Sequence, residues 1–327
     1  MRRREFLSVL GCAVATWPIS ARAQQATPVI GYLYAGSPES SAYLITAFRK
    51  GLSEGGYVEG RNVRIDYLWA QNEFSRLPEL AADLVRRRVS VIVTPGGTPA
   101  GLAAKAATAT IPIVFGIGSD PVQAGLVDSL NRTGSNVTGI TYMNAELASK
   151  QFGLLSELLP EAARFAVLVN LSNRQIAEPL IVDVRTAASK TGRQFEVLAA
   201  SSNLEIDDAF ATMVQKKINA LLISPDPLFV NRRVQLATLT IRNAMPAIFP
   251  FREDAEAGGL MSYGSSNTDL FRQTGLYAAR ILNGEKPLEM PVLRATKFEF
   301  IINLQAAKTL GIKIPSTLLA RADEVIE

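Results

Sequence analysis

The sequence predicts an α/β protein built as two doubly wound, Rossmann-like lobes of parallel sheet joined by a hinge. Three observations carry that expectation. After Thr27, short apolar runs rich in β-formers alternate with amphipathic stretches of helical period. The alternation falls into two series of about 110 residues each. The strands read as continuous apolar runs, as they do in sheets covered by helices on both faces.

The first series opens with strand 29–34 (VIGYLY) and the turn AGSPES, then an amphipathic helix over 42–53 that Gly55 and Gly56 close. Strand 63–68 follows. A helix over about 75–87 ends in Arg86-Arg87-Arg88, cations that complement the negative end of a helix dipole. Strand 89–94 runs into TPGGTPAGLAAKAA, a Gly/Pro turn feeding an alanine-rich helix. Strand 113–117, the loop GSDPVQAG, a helix near 126–131 and a short strand at 137–140 complete the series. The second series begins with a helix over about 145–159, stopped by Pro160. It continues with strand 165–169, helix 176–191, strand 194–198, helix 206–217, strand 220–224, helix 232–243 and strand 247–249. The tail adds strand 260–262, helix 269–282, strand 298–302 and helix 304–310.

The N-terminus, MRRREFLSVLGCAVATWPISARAQQ, has a basic start, an apolar stretch from Phe6 to Ile19 and the small-residue site Ala21-Arg22-Ala23. This is the pattern of a secretory signal peptide cleaved after Ala23. Arg3-Arg4-Glu5-Phe6-Leu7 fits a twin-arginine export address. Val9-Leu10-Gly11-Cys12 offers a lipoprotein site as the alternative, with only five apolar residues before it. Arg2, Arg3, Arg4 and Arg22 against Glu5 place +3 of the chain's +4 in this segment, leaving the mature chain at +1. A balance so close to neutral gives no reason to expect nucleic-acid binding. With Cys12 removed, the mature chain carries no cysteine and is suited to an oxidising compartment. Asn131-Arg132-Thr133 and Asn136-Val137-Thr138 match the glycosylation sequon, a coincidence in an exported bacterial-type protein.

The absences narrow the chemistry. The chain has no histidine, which removes Ser-His-Asp catalysis, His-ligated metals and His proton shuttles. Neither a dinucleotide G-x-G-x-x-G nor a Walker G-x-x-x-x-G-K-[ST] occurs, and Lys105 lies too far along its helix to serve a phosphate cradle. No cofactor and no metal are expected.

What the strand ends carry is small hydroxyl, amide and carboxylate groups at helix starts: Ser37; Gly97 and Thr98; Ser119 and Asp120; Asn170 and Asn173; Asp226. Singly, each satisfies orphan backbone N–H groups as a helix cap. Together they form the rim of a cleft, since open parallel sheets bind ligands beyond the carboxyl ends of their strands. Helix N-termini with hydroxyl groups suit a carboxylate, and Asp120 or Asp226 would accept from an ammonium. Tyr142 and Tyr263 follow strands at the crossovers, where hinge packing and ligand contact are both open. Tyr32, Tyr34, Tyr67 and Trp69 read as core or rim.

AFRKGLSEGGYVEGRNVRIDY, IPIVFGIGSDPVQAGLV, SNVTGIT and FIINLQAAKTLGIKIP, taken in register from residue 28 to the end, resemble the substrate-binding proteins of ABC uptake transporters, in the group that includes tryptophan and tyrosine binders. The resemblance implies the type I periplasmic binding protein fold, two lobes closing on a ligand about a three-stranded hinge. It implies lobe 1 over 28–142 plus about 259–287, and lobe 2 over 143–258 plus about 288–327. It places pocket residues at Ser37, Thr98 to Ala100, Ser119, Asp120, Thr141, Tyr142, Asn170, Asn173, Asp226, Ser262 and Tyr263. It also implies a periplasmic monomer serving an inner-membrane permease and its ATPase. AGSPES lacks the family's frequent His, VNLSNRQ lacks its Glu-x-Asn-Ser, and Pro227 stands where the amino-acid binders carry Asn. The ligand is therefore open between an amino acid and an aromatic or other carboxylate. Two other readings share the architecture: a sensory module for a membrane receptor, and an exported hydrolase or lyase using Asp120, Asp226 or Ser119, for which no activating base is apparent.

Overall fold

The computed structural model describes residues 27–143 and 147–327. The export signal, with Cys12 and the cleavage expected after Ala23, lies outside the described residues.

Six strands form the first sheet. These are β1 (Val29–Tyr34), β2 (Arg64–Trp69), β3 (Val91–Pro95), β4 (Ile113–Ile117), β5 (Val137–Thr141) and β11 (Leu293–Arg294), in the order β11-β5-β4-β3-β1-β2 with every pair parallel. The strands are apolar throughout because both faces are covered. Leu44 and Phe48 of α1 (Ala42–Glu54) and Leu270, Phe271 and Tyr277 of α10 (Asn267–Leu282) pack on one face. On the other lie Leu77, Ala81 and Leu84 of α2 (Leu77–Arg86) with Ala100 and Ala104 of α3 (Thr98–Ala107).

The second sheet contains β6 (Arg164–Val169), β7 (Gln194–Ala199), β8 (Ala220–Ile223), β9 (Ala247–Phe249), β10 (Met261–Gly264), β12 (Glu299–Asn303) and β13 (Glu324–Ile326), ordered β13-β12-β10-β9-β8-β6-β7. Only the β10–β12 pair is antiparallel. One face carries α4 (Ala148–Leu158), α5 (Arg174–Lys190) and α11 (Leu304–Thr309). The other carries α6 (Asn203–Gln215), α7 (Pro227–Asn231) and α8 (Arg233–Arg242). Two short helices, α9 (Arg252–Glu256) and α12 (Ser316–Leu319), finish the lobe. This is the two-lobed, doubly wound architecture that the sequence implies.

The tail divides more finely than blocks at 259–287 and 288–327. Strand β10 belongs to the second sheet, where buried Met261 joins the core around Phe300 and Ile302. Helix α10 then returns to the first lobe, β11 pairs with β5 there, and β12 crosses back. Three connections therefore link the lobes: after β5, between β10 and α10, and between β11 and β12. One expected helix, near 126–131, is an irregular, bent segment after turns at 121–125. Ser129 Oγ accepts from the Arg132 N–H at 3.1 Å and donates to its carbonyl at 2.9 Å. That local side-chain bonding competes with a helix. The Arg86 to Arg88 run ends α2, with Arg87 bridging Asp83 and Asp66.

Candidate functional site

The carboxyl ends of β3, β4 and β5 face those of β6 and β8 across a cleft. On the first-lobe side the chain turns sharply after Pro95. Gly96 has φ +133, and a Cβ there would stand 2.5 Å from the Tyr34 ring, so glycine alone fits both the conformation and the space. The N–H groups of Gly96 and Gly97 donate to the Gly116 carbonyl at 2.8 and 3.1 Å, fixing the turn to β4. Helix α3 starts at once, with no side-chain cap at Gly97. Its first turn keeps N–H donors and the positive end of its dipole directed at the cleft. Beside it, the buried hydroxyls of Thr98 and Ser119 lie 2.7 Å apart. The pair has two protons and uses one between its members, so one donor remains for an acceptor.

The second-lobe turn is built differently. Asp226, 1% exposed, caps α7 by accepting the Leu228 N–H on Oδ1 at 2.9 Å. The same oxygen accepts from Asn170 Nδ2 at 3.1 Å, and Oδ2 accepts from Asn173 Nδ2 at 2.8 Å. Burial raises the Asp226 pKa, while its bonds to Asn173, Asn170 and Leu228 pull it back. Asn170 also spends its Oδ1, on the Ser172 N–H at 3.0 Å. Asn173 does not: its Oδ1 is buried without a partner.

Between these turns lies a cavity of about 30 Å³. Its walls are aromatic and aliphatic, from Tyr34, Tyr142, Phe251, Phe271, Ile176 and Val230, with Gly97, Thr98, Asn173 and Asn267 as the polar edge. Among the described residues no Asp, Glu, Lys or Arg lines it. Desolvation pushes the buried Tyr34 phenol up to about 12, so it stays neutral. The volume suits one or two waters. A ring-sized guest therefore requires the walls to separate.

At the mouth, residues of the second lobe hold the first. Ser40 Oγ donates to Asn231 Oδ1 at 2.6 Å, and Asn231 Nδ2 donates to Asn72 Oδ1 at 2.8 Å. Arg233 donates to the Ser40 carbonyl at 3.2 Å and stands 4.6 Å over the Tyr43 ring. The cleft is closed.

The expected site residues separate into three groups. Gly97, Thr98, Tyr142 and Asn173 line the cavity, and Ser119 joins it through Thr98. Tyr142 also serves the hinge, donating to Asn267 with Oδ1 at 2.7 Å and packing 5.9 Å from Phe251. Asn170 and Asp226 stand behind Asn173, their polar groups already engaged. Ser37, Asp120 and Tyr263 lie elsewhere, and Pro99, Ala100, Thr141 and Ser262 are not among the cavity's lining residues. Ser37 lines the mouth with Asn72 and Asn231. Asp120 accepts the N–H groups of Val122 and Gln123, a turn cap. Tyr263 stacks on Phe298 at 6.3 Å, and its carbonyl accepts from Gln151. Lys105 donates to the carbonyls of Gly125 and Leu126, away from the cavity. The sequence reading missed Phe251, Phe271, Ile176 and Val230, which have the pattern of ordinary core residues. Tyr34, read as core or rim, is a wall of the cavity.

Two lobes of this topology, closed on a cavity at the strand ends, define a type I periplasmic binding protein. A family described as ABC transporter substrate binding protein matches residues 38–326, and the chain belongs to it. It is 30% identical over 268 residues to the tyrosine-binding protein of Clostridioides difficile, covering 81% of this chain and 76% of that one. An ABC domain from Streptococcus pneumoniae in complex with L-Trp matches with TM-score 0.82 at 27% identity, over 92% of this chain and 100% of that chain. A ligand-free, open substrate-binding protein from Clostridium difficile has the same 27% identity, over 92% and 99%, but a TM-score of 0.62. At equal identity, the L-Trp complex superposes on this chain with the higher score. Substrate-binding proteins of this family hold small molecules for ABC transporters. Among the described residues no helix is long and apolar enough to cross a membrane, and no cluster of His, Cys, Asp or Glu could hold a metal ion.

Proposed function

We propose that this chain is an exported, periplasmic solute-binding protein that takes a small ring-bearing carboxylate into the cleft and delivers it to an inner-membrane permease driven by its ATPase. The observation that carries this reading is the cavity's make-up. An uncapped helix N-terminus and a hydroxyl pair with a spare proton stand at one end, aromatic walls stand around it, and among the described residues no charged side chain lies between. The carboxylate sits against the first turn of α3, where Thr98 and Ser119 donate to it and the helix dipole favours it. The ring is held between Tyr34, Phe271, Tyr142 and Phe251, and Asn173 meets a polar group at the far end. The tyrosine binder and the L-Trp complex among its relatives support a ligand of this size and aromatic character. An aromatic acid without an α-amino group fits as well, because among the described residues no carboxylate side chain lines the cavity to receive an ammonium.

The reading has a binding role and no catalytic one: Asp226 is committed to structural bonds, and among the described residues the Ser119 hydroxyl bonds only Thr98. The protein acts as a monomer whose hinge opens to admit the ligand. Its signal peptide is removed after Ala23. The test is titration calorimetry with L-tyrosine, L-tryptophan, benzoate, 4-hydroxybenzoate and indole-3-acetate, alongside the corresponding amides. Carboxylates should bind and raise the melting temperature, and amides should not. Equal binding of acids and amides would remove the carboxylate from the site.

A further inference from the structure

We propose that Asp226 does not touch the ligand but sets the polarity of the cleft, by fixing which end of the Asn173 amide faces it. The inference rests on the cavity being the ligand site, and it adds to the ligand class a preferred hydrogen-bond donor.

An ionised carboxylate only accepts hydrogen bonds. Both oxygens of Asp226 are occupied, Oδ1 by Asn170 Nδ2 and the Leu228 N–H, Oδ2 by Asn173 Nδ2. Asn173 must therefore turn its NH2 inward to the protein. Its carbonyl end is left toward the cavity that the residue lines, and that Oδ1 is buried with no partner. A buried acceptor left unmet costs free energy, so the site disfavours a ligand that brings no N–H or O–H to it. The acceptor is an amide dipole rather than a charge. Hydroxyl, ring N–H and amide N–H groups therefore satisfy it as fully as an ammonium does.

The arrangement makes a specific substitution informative. In Asp226→Asn the shape is kept and asparagine still caps α7. Oδ1 continues to serve Leu228 and Asn170, but an NH2 now stands where Oδ2 was. Two NH2 groups cannot bond each other. Asn173 relieves the conflict by turning its amide over, which sends Nδ2 into the cavity. The cleft keeps its shape and changes from acceptor to donor.

The experiment uses the whole mature chain and ring carboxylates in pairs matched in shape. These are 4-hydroxybenzoate with 4-formylbenzoate, indole-3-acetate with benzofuran-3-acetate, and L-tyrosine with 4-fluoro-L-phenylalanine. In the native protein the member with the donor should bind more tightly by about tenfold in the pair whose donor reaches Asn173. Asp226→Asn should erase or reverse that preference, and Asn173→Ala should abolish it. In the ligand-free protein, NMR should show the Asn173 side-chain NH2 slow to exchange with water, and fast to exchange in Asp226→Asn. A preference identical in native protein and Asp226→Asn would overturn the proposal alone. Failure of every carboxylate to bind the native protein would overturn the ligand site and the proposal together.

Discussion

The two turns that face each other across the cleft use the same vocabulary of Gly, Pro, Ser, Thr, Asn and Asp, and they do opposite things with it. The turn at Asp226 is closed on itself: one carboxylate serves three protein donors, and helix α7 is capped. The turn at Thr98 is left open, with α3 uncapped and a hydroxyl pair holding a spare proton. A strand-end turn that satisfies itself contributes rigidity, and one that does not keeps donors free, to which the proposed function assigns binding. The difference is invisible in residue type and lies in the partners that neighbouring strands supply.

Substitutions should separate the two. Asp226→Ala leaves three buried donors without an acceptor and removes a cap. Its expected cost is about 3 kcal/mol of stability, read by urea denaturation. Thr98→Val should reverse the pattern, lowering affinity for a ring carboxylate about tenfold while costing about 1 kcal/mol of unliganded stability. Comparable stability losses at both sites would erase the contrast. Asn231→Ala removes the bridge from α7 to Ser40 and Asn72, and should shift the lobes toward the open form by about 1 kcal/mol. Small-angle scattering would show it as a larger radius of gyration with unchanged secondary structure. Asp120→Ala should be the mildest. It loses a turn cap, about 0.5 kcal/mol, and leaves carboxylate affinity where it was.

Much of the fold was legible because both sheets are covered on both faces, so strands such as VIGYLY and FGI-type runs carry no polar alternation and stand out between amphipathic helices. The tail was harder. Strand β11 is two exposed residues, Leu293 and Arg294, with no pattern of its own; only its pairing with β5 places it in the first lobe. The irregular segment at 126–131 hides behind buried Leu126 and Val127, which imitate a helix face. In the site, Thr98, Gly97, Tyr142 and Asn173 could be named from their positions after strands. That Asp226 stands behind Asn173, and that Asp120 caps its own loop, depend on hydrogen bonds no single sequence displays. Phe271 and Tyr34 were read past because a cavity with apolar walls draws on the same residues as a core.

The central claim is that the ligand's carboxylate belongs to the open turn and its donor to the closed one. The most direct measurement is the electron density of a ring carboxylate co-crystallised with the mature chain. The carboxylate is expected within hydrogen-bond reach of Thr98 or Ser119 at the first turn of α3, with an N–H or O–H on Asn173 Oδ1. A ligand in the reverse orientation, or one lying in the outer groove between Asp120 and Glu178, would contradict it.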